Sequence, residues 1–300
     1  MTHPYATEHY AESLLRNGHI VPVPEWGCCI LVRPILGQLE DAAGTYPITI
    51  FAHDADISGG LSRLRALDLV SIVLVVDDFH RPSLEHLAAE FDFVRPFKTH
   101  FLHKPANGPP TYDKHHRYEV RRARRSVDVA VLDLDSNLED WMAIYSVVST
   151  RHQFSGVHDL PRKHHTTLAR LGGVTAIGAW TEGKLAACHV WVHNAGRVHS
   201  HLAASSERGY ACGAAYAVND ASLKHFAGVE LVNFGGPAGF VDQQEDGLAR
   251  FKRGFANATA RSYICGKILN PGQYRWLTEE KGVGHDQTYF PAYRASQSIE

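Results

Sequence analysis

Apolar positions in the second half of the chain change their spacing from segment to segment, which predicts a mixed α/β fold. Alternating segments indicate half-buried strands, whereas Leu138, Trp141 and Tyr145 recur at the spacing of an amphipathic helix. In chain order the predicted elements are a strand at 127–133, a helix behind a capping box at 136–139, a helix at 160–171, strands at 174–180, 185–192 and 197–204, a helix at 212–227, a strand at 229–234 and a strand pair within 258–269.

The first half gives a weaker version of the same pattern. Its predicted elements are strands at 29–32, 48–51, 70–76 and 97–102, a short helix near 61–67 and a helix from Pro82 to Glu90. Between the halves, residues 104–110 are rich in proline and glycine and read as a linker. We therefore predict two domains, at 1–108 and 109–300.

Composition limits the function without deciding it. The 300 residues, 44% of them hydrophobic, suffice for one large core or two modest ones. A formal charge of −2 leaves any nucleic-acid contact to local patches. No apolar run has transmembrane length, the N-terminus lacks a signal-peptide pattern, and five cysteines form no evident disulfide framework. We expect a cytoplasmic protein without membrane insertion.

Residues 246–255, with the sequence DGLARFKRGF, carry the most specific signal. They follow an apolar strand that stops at Gly235-Gly236. This arrangement resembles the second half of the Fem-like (FemAB/FemX-type) transferases, which attach amino acids from aminoacyl-tRNA to an acceptor amine. The resemblance implies two GNAT-like domains, the first degenerate and the second carrying the catalytic motif, and it implies acyl transfer to an amine.

The same resemblance suggests catalytic roles for Phe251 and Lys252. The ammonium of Lys252 would stabilise the tetrahedral oxyanion of acyl transfer, and Phe251 would exclude water or stack on a terminal base. The strand over 197–204 should diverge from its parallel neighbour over 229–234, so that an N–H near Ala203 or Ala204 can meet the acyl carbonyl. The alternative is an exposed lysine beside a core phenylalanine.

A general base is not evident from the sequence. His189, His199, His201 and Asp242 are candidates, although each can equally be structural or orient the substrate. The acidic position of the family's Asp-Phe-Gly-Gly pattern is Asn233 here, which cannot act as a base. The scattered histidines, including His199 and His201 in an HxH pattern, lack the further ligands of a metal site, so no metal and no tightly bound cofactor is expected.

Two segments bear on the acyl donor. The basic segment 114–125 predicts a helix with Val120 and Ala123 on one face, and the opposite face could neutralise phosphates of a tRNA or of a phosphorylated acceptor. Its candidate phosphate contacts, together with one arginine near the catalytic motif, are Arg117, Arg121, Arg124, Arg125 and Arg253. The alternative is a solvated helix face.

The second donor segment, 208–213, resembles the GNAT loop that binds the CoA pyrophosphate at a helix N-terminus. It keeps Arg208, Gly209 and Gly213, but Ala211 replaces the middle glycine, where its methyl group would obstruct a pyrophosphate. The resemblance would bring these residues, His201, Asn233, Phe251 and Lys252 together in one cleft between the domains. A plain strand-to-helix turn is the alternative for this loop.

Three function classes follow. The first is an aminoacyl-tRNA-dependent transferase that acts on an amine of a peptidoglycan precursor, small peptide or nucleoside metabolite, free or carrier-tethered. The second is an acyl-CoA-dependent N-acyltransferase that acts on a small amine. The third is a non-catalytic binding protein on a decayed fold, which the intact Phe-Lys motif argues against.

Overall fold

The computed structural model describes residues 2–153, 159–237, 246–283 and 289–298. The chain forms two compact units. The central unit comprises residues 98–154 and 162–261, and the terminal unit comprises residues 2–97, 155–161 and 262–300. Residues after 261 thus cluster with the N-terminal residues. The domain boundary at 108/109 stays a prediction.

Helices and strands are both present throughout the chain, which confirms the predicted α/β class. Their bounds are α1 (Glu8–Leu14), β1 (His19–Val23), β2 (Cys28–Pro34), β3 (Glu40–Ala43), α2 (Ile57–Ala66), β4 (Ser71–Asp77), α3 (Leu84–Glu90), β5 (Phe93–His103), α4 (Lys114–Arg124), β6 (Asp128–Leu132), α5 (Leu138–Arg151), α6 (Arg162–Arg170), β7 (Val174–Thr181), β8 (Lys184–Asn194), β9 (Arg197–Ser205), α7 (Glu207–Cys212), α8 (Ala214–His225), β10 (Leu231–Asn233), α9 (Gly247–Arg253), β11 (Ala258–Ile268) and α10 (Pro271–Glu280).

In the terminal unit the strand order is β1-β2-β3-β4-β11. Strands β3 and β4 are parallel, and β4 pairs antiparallel with β11 from Ser71↔Ile268 to Asp77↔Ser262. The side chains of Ile72, Leu74 and Val76 on β4 are buried, as expected of a strand covered by neighbours on both sides.

In the central unit the strand order is β5-β10-β9-β8-β7-β6. The β7–β8 and β8–β9 turns place Gly183 and Gly196 at positive φ, the conformation that the predicted hairpin turns require. One core contains Trp191, Val218 and Phe234, together with Ala249 and Phe255 from the region of the Phe-Lys motif. The motif is therefore anchored in the core of this unit.

Four predicted elements differ from the structure, each for a local reason. Residues 48–51 form no ladder; Thr49 N–H donates to Val75 O at 2.7 Å and Phe51 N–H donates to His80 O at 3.0 Å, two isolated bonds. The region 258–269 is one strand, β11, rather than a strand pair. The capping box at 136–139 is not formed, because the Ser136 hydroxyl donates to Asp133 Oδ2 at 2.5 Å.

The fourth difference concerns the predicted helix at 212–227. It is divided into α7 and α8 by Gly213, whose φ of +69° is left-handed. The helix α10 was not predicted, because Pro271-Gly272 resembles a break. Asn270 instead caps α10 through its side chain, and Pro271 occupies the first turn, where no N–H is needed.

None of the helices in the described part of the chain is long and apolar enough to cross a membrane.

Candidate active site

The candidate site lies where β9 and β10 separate. The two strands are parallel and pair from Leu231↔Arg197 to Asn233↔His199, after which β9 continues to Ser205 alongside β8. No described strand pairs with the β10-facing edge of β9 beyond His199. The predicted parallel neighbours that diverge at their C-terminal ends are thus confirmed.

A β-bulge in β9 accompanies this divergence. Leu202 lies opposite Val190, whereas Ser200 lies opposite Trp191, so His201 is an extra residue in β9. Bulges increase the local twist and re-aim side chains. Ala203 follows the bulge as an exposed residue and Ala204 is buried, in the stretch where the sequence predicted a donor N–H for an acyl carbonyl.

Lys252 is a residue of helix α9, and its ammonium lies close to the chain that follows the C-terminal end of β10. The Asp246 side chain caps α9 by accepting from Ala249 N–H at 2.5 Å. The Lys252 ammonium donates to Gly236 O at 2.6 Å. Gly235 has φ +76°, and a Cβ built on it would lie 3.5 Å from Lys252 Nζ. The two glycines therefore allow the chain to turn directly beneath the ammonium.

The surroundings of Lys252 weaken its basicity. The residue keeps some exposed surface, but its ammonium end is densely surrounded by protein. Burial, followed by repulsion from Lys98, lowers the pKa of Lys252 to about 7, while Asp246 acts in the opposite direction. Near neutral pH the side chain thus exists in both charged and neutral forms.

Phe251, in helix α9, contacts residues of helices α4 and α8. Its half-buried ring makes an edge-on contact with Tyr216, with ring centroids 4.8 Å apart, and a second contact with Phe255 at 5.2 Å. Its carbonyl oxygen lies 3.1 Å from Nε2 of the buried His116 in the basic helix α4. A Cβ on Gly254 would lie 1.9 Å from the same nitrogen, so glycine is required there.

Asn233 lies at the same end of β10 as Lys252 but on the opposite face of the sheet. Val232 and Phe234 join the core with Trp191, and side chains alternate along a strand. The Asn233 amide nitrogen lies 2.9 Å from His199 Nε2 and 3.1 Å from His100 Nδ1, and its oxygen accepts from Gly235 N–H at 2.8 Å. Asn233 therefore fixes the start of the glycine turn.

His201 belongs to a group of buried histidines beside helix α6. Its Nε2 lies 3.0 Å from Nε2 of His164, and Trp141 donates to Nδ1 of the adjacent His165 at 3.1 Å. Burial lowers the pKa of His164 to about 3 and that of His201 well below its usual value. Such imidazoles are weak bases at neutral pH.

The other general-base candidates are distributed differently. His189 Nε2 lies 2.7 Å from Ser200 Oγ. Burial, with a smaller contribution from Lys252, lowers the pKa of His189 to about 3, while the Asn219 side chain acts in the opposite direction. His199 contacts Asn233. Asp242 lies outside the described residues.

The segment 208–213 is not an open loop. Residues Glu207–Cys212 form helix α7, capped by Ser206, whose hydroxyl accepts from Gly209 N–H at 3.1 Å. A Cβ on Gly209 would lie 2.0 Å from Ala186 O, so glycine is needed there for packing. The exposed Arg208 pairs with Glu182, and Gly213 N–H donates to Tyr210 O at 3.2 Å. The amides of Gly209 and Gly213 are thus engaged within the protein.

The basic helix α4 has the predicted two faces, with Val120 and Ala123 buried. Its arginines differ in their environment. Arg117 and Arg121 in the helix and Arg125 at its C-cap are exposed at intervals of four residues, and none has an ion-pair partner in the described part of the chain. We call these three residues the arginine stripe. The four-residue spacing places them along one side of the helix.

The remaining basic candidates have partners. Arg124 Nη2 lies 2.5 Å from the buried Asp220, which also accepts from Tyr112 and Lys224. The Arg253 guanidinium lies over the ring of Phe101, 5.6 Å from its centroid. Through these contacts Arg124 and Arg253 contribute to the packing of the protein, whatever else they bind.

Lys98, His116 and the histidines around His201 are site features that the sequence analysis missed. Lys98 donates to Pro237 O at 3.1 Å, next to the carbonyl that Lys252 contacts. His116 appeared only as a member of a charged segment, although its position four residues before Val120 places it on the buried face. No group of three or more potential ligands among the described residues is arranged to hold a metal ion.

Comparison with protein families matches residues 114–253 to the acetyltransferase (GNAT) domain. This range begins with helix α4 and ends with helix α9, so it contains the divergence of β9 and β10 as well as Lys252. A search of curated proteins gave no significant match.

Comparison with solved structures extends the likeness to most of the chain. FemX shares 12% identity, with 83% of this chain and 86% of that chain covered and a TM-score of 0.57. L-PGS from Bacillus licheniformis shares 12% identity, with 88% and 91% covered and a TM-score of 0.60. Together with the domain match, these structures confirm the GNAT-like fold and show that it is similar to the fold of FemX.

Proposed function

We propose, on the premise that this chain is a GNAT-type acyltransferase with the fold of the Fem-like proteins, that it moves an aminoacyl group from aminoacyl-tRNA to an amine. One observation carries the proposal: a partly desolvated lysine lies where β9 and β10 diverge, beside a strand edge that no described strand covers. The acceptor would be an amine of a peptidoglycan precursor, small peptide or nucleoside metabolite, and the enzyme would act in the cytoplasm.

The arrangement suits acyl transfer. The amine attacks the carbonyl carbon of the ester, and the carbonyl oxygen becomes an oxyanion. A backbone N–H near Ala203 and the charged form of Lys252 would stabilise that oxygen, which is worth most in a partly dry site. Phe251, half-buried on Tyr216, leaves part of its ring available to exclude water from the reacting ester.

Two observations favour aminoacyl-tRNA over acyl-CoA. The segment that would cradle a pyrophosphate is folded into α7, with the amides of Gly209 and Gly213 bonded internally. The arginine stripe instead offers three exposed cations without protein partners in the described residues, as a phosphate backbone requires.

Acyl-CoA is the second candidate donor, because the matched domain is described as an acetyltransferase. A CoA enzyme on this scaffold would place the thioester at the same divergence of β9 and β10. Its diphosphate would have to bind elsewhere than the engaged amides of Gly209 and Gly213.

The test compares both donors in one experiment. Purified protein is incubated with a radiolabelled aminoacyl-tRNA mixture or with radiolabelled acetyl-CoA, each with the same panel of amine acceptors. We expect amide product from aminoacyl-tRNA, and we expect product formation to fall steeply as salt is raised, because several phosphate contacts release counterions. Transfer from acetyl-CoA alone, with weak salt dependence, would replace this proposal by the second candidate.

A further inference from the structure

Lys98 and Lys252 converge on the same turn of the backbone. Lys252 Nζ donates to Gly236 O at 2.6 Å, and Lys98 Nζ donates to the next carbonyl, that of Pro237, at 3.1 Å. The stem of Lys98 crosses Gly236 so closely that an added Cβ would lie 3.0 Å from Lys98 Cβ and 3.1 Å from Lys98 Cδ. One ammonium thus approaches the turn from β5 and the other from α9.

We propose that Lys252 is the general acid–base of the acyl transfer and that Lys98 is a positioning residue that favours its uncharged form before reaction. This inference rests on the proposed function. The basic helix α4 and the buried histidines take no part in either role, acid–base catalysis or the positioning of Lys252.

Burial is the largest cause of the lowered pKa of Lys252, and the charges around the ammonium adjust it further. Lys98 on β5 repels a proton on Lys252, the carboxylate of Asp246 at the start of α9 attracts it, and His189 on β8 is neutral because of its burial. Like charges in a poorly hydrated place disfavour the protonated form. Because the two lysines bond adjacent carbonyls, their stems are fixed and cannot separate freely.

Acyl transfer needs a base of this strength. A protonated amine cannot attack, since its lone pair is occupied, and a base works best when its pKa is near the working pH. The pKa of Lys252 is about 7, whereas burial holds the pKa values of His164 and His189 near 3. A neutral Lys252 can donate one hydrogen to Gly236 O while its lone pair accepts a proton.

The step balances with Lys252 alone. The amine nitrogen forms a bond to the ester carbonyl carbon, the C=O electron pair moves to oxygen, and Lys252 takes one N–H proton. The resulting ammonium is then next to the oxyanion. When the tetrahedral intermediate collapses, the ester C–O bond breaks, and Lys252 returns its proton to the leaving ribose oxygen. No oxidant, metal or additional co-reactant is needed.

The test measures the pKa of Lys252 without any substrate. The intact protein is labelled briefly with trace acetic anhydride between pH 5 and 11, and labelling at Lys252 is quantified by mass spectrometry against an internal lysine peptide. We expect a labelling midpoint near 7 in the wild-type protein. Lys98→Gln should move the midpoint up by about one pH unit, and Lys98→Met should act similarly.

Two variants serve as controls. Lys98→Arg keeps the charge on β5 and should keep the midpoint near its wild-type value. Lys184→Gln removes an exposed lysine at the start of β8 and should leave the midpoint unchanged. A wild-type midpoint at the ordinary lysine value of about 10.4 would overturn the proposal, and so would equal midpoints for Lys98→Gln, Lys98→Met and wild type.

The pH profile of transfer gives the second readout. The acidic limb of kcat/KM should coincide with the labelling midpoint and should move with it in Lys98→Gln. An acidic limb that stays in place while the midpoint moves would exclude Lys252 as the base. A third outcome is that neither donor is used, while the labelling midpoint of Lys252 remains near 7 and moves in the Lys98 variants. The proposed function would then be wrong, and only the effect of Lys98 on the pKa of Lys252 would be supported.

Discussion

His164 and His201 face each other through their Nε2 atoms, 3.0 Å apart, within the buried part of the central unit. In a hydrogen bond between two imidazoles, one nitrogen donates and the other accepts, so the two rings hold opposite tautomers when both are neutral. A proton added to the pair would lack the solvation that water gives an exposed imidazolium. Burial therefore favours the uncharged pair.

The first prediction is that this pair makes the protein sensitive to acid. The pKa of His164 is about 3 in the folded state, against about 6.5 in an unfolded chain, so the unfolded state binds more protons between these values. The free energy of unfolding should fall as pH drops below about 6.5, by up to ~1.4 kcal/mol per pH unit for each such histidine.

Urea unfolding between pH 7.5 and 4.5 measures this slope. His164→Gln should reduce the pH slope, whereas His152→Gln, at an exposed position after α5, should preserve it. An unchanged slope in His164→Gln would contradict the assignment of the acid sensitivity to this pair.

The second prediction concerns catalysis by Lys252. Lys252→Ala should lower turnover by on the order of a hundredfold, because loss of one group that stabilises an oxyanion typically costs about that much. Donor affinity should change far less, because the charge matters most in the transition state. Single-turnover rates and donor binding are measured separately, with Lys184→Ala as the control. Equal losses in affinity and turnover would assign Lys252 to binding.

The third prediction separates the arginines of α4. Arg117→Ala combined with Arg121→Ala should weaken tRNA binding and reduce the slope of log affinity against log salt by about two, one for each lost phosphate contact. The chemistry of bound donor should be unchanged. Filter binding at several salt concentrations measures the slope, and an unaltered slope would exclude these residues from the tRNA contact.

Arg124→Ala should behave differently from the stripe variants. It removes an ion-pair partner from the buried Asp220, which keeps Lys224 and Tyr112. Loss of a partner from a buried charge is destabilising, so thermal unfolding should occur at lower temperature. The salt slope of tRNA binding should stay closer to that of the wild-type protein.

The fourth prediction tests whether Gly209 serves packing. A Cβ at this position would lie 2.0 Å from the backbone oxygen of Ala186, which cannot move aside easily. Gly209→Ala should therefore lower the free energy of unfolding, by about 1–3 kcal/mol as is typical of overpacking. Gly172→Ala is the matched control, since a Cβ there meets nothing within 4 Å. Equal stability of the two variants would contradict the packing role.

Much of the central unit could be predicted because the sequence patterns that specify its strands and turns are local. The strands β7, β8 and β9 are separated by short turn sequences, and Gly183 and Gly196 lie at positive φ in those turns. Helix α10 shows the limit of this approach, since the dipeptide Pro271-Gly272 fits a break as well as a first helical turn. Asn270, as the capping residue, decides between the two.

The site was predictable only in part, because its members come from distant segments. Lys252 was found through the resemblance of its Phe-Lys motif to a family. Lys98 has no such motif, and only the fold brings its stem against Gly236. The pairing of His164 with His201 likewise depends on how α6 packs beside β9, which no spacing along the chain reveals.

The pairing of β4 with β11 has a consequence for synthesis on the ribosome. Strand β4 gains its β11 neighbour only when residues 262–268 emerge, after the entire central unit has been translated. Until then one edge of an apolar strand has no native partner, and an open edge invites pairing with other chains. Strand β4 thus completes its pairing after the central unit has been made, and the nascent protein passes through a long interval in which chaperone binding would protect it.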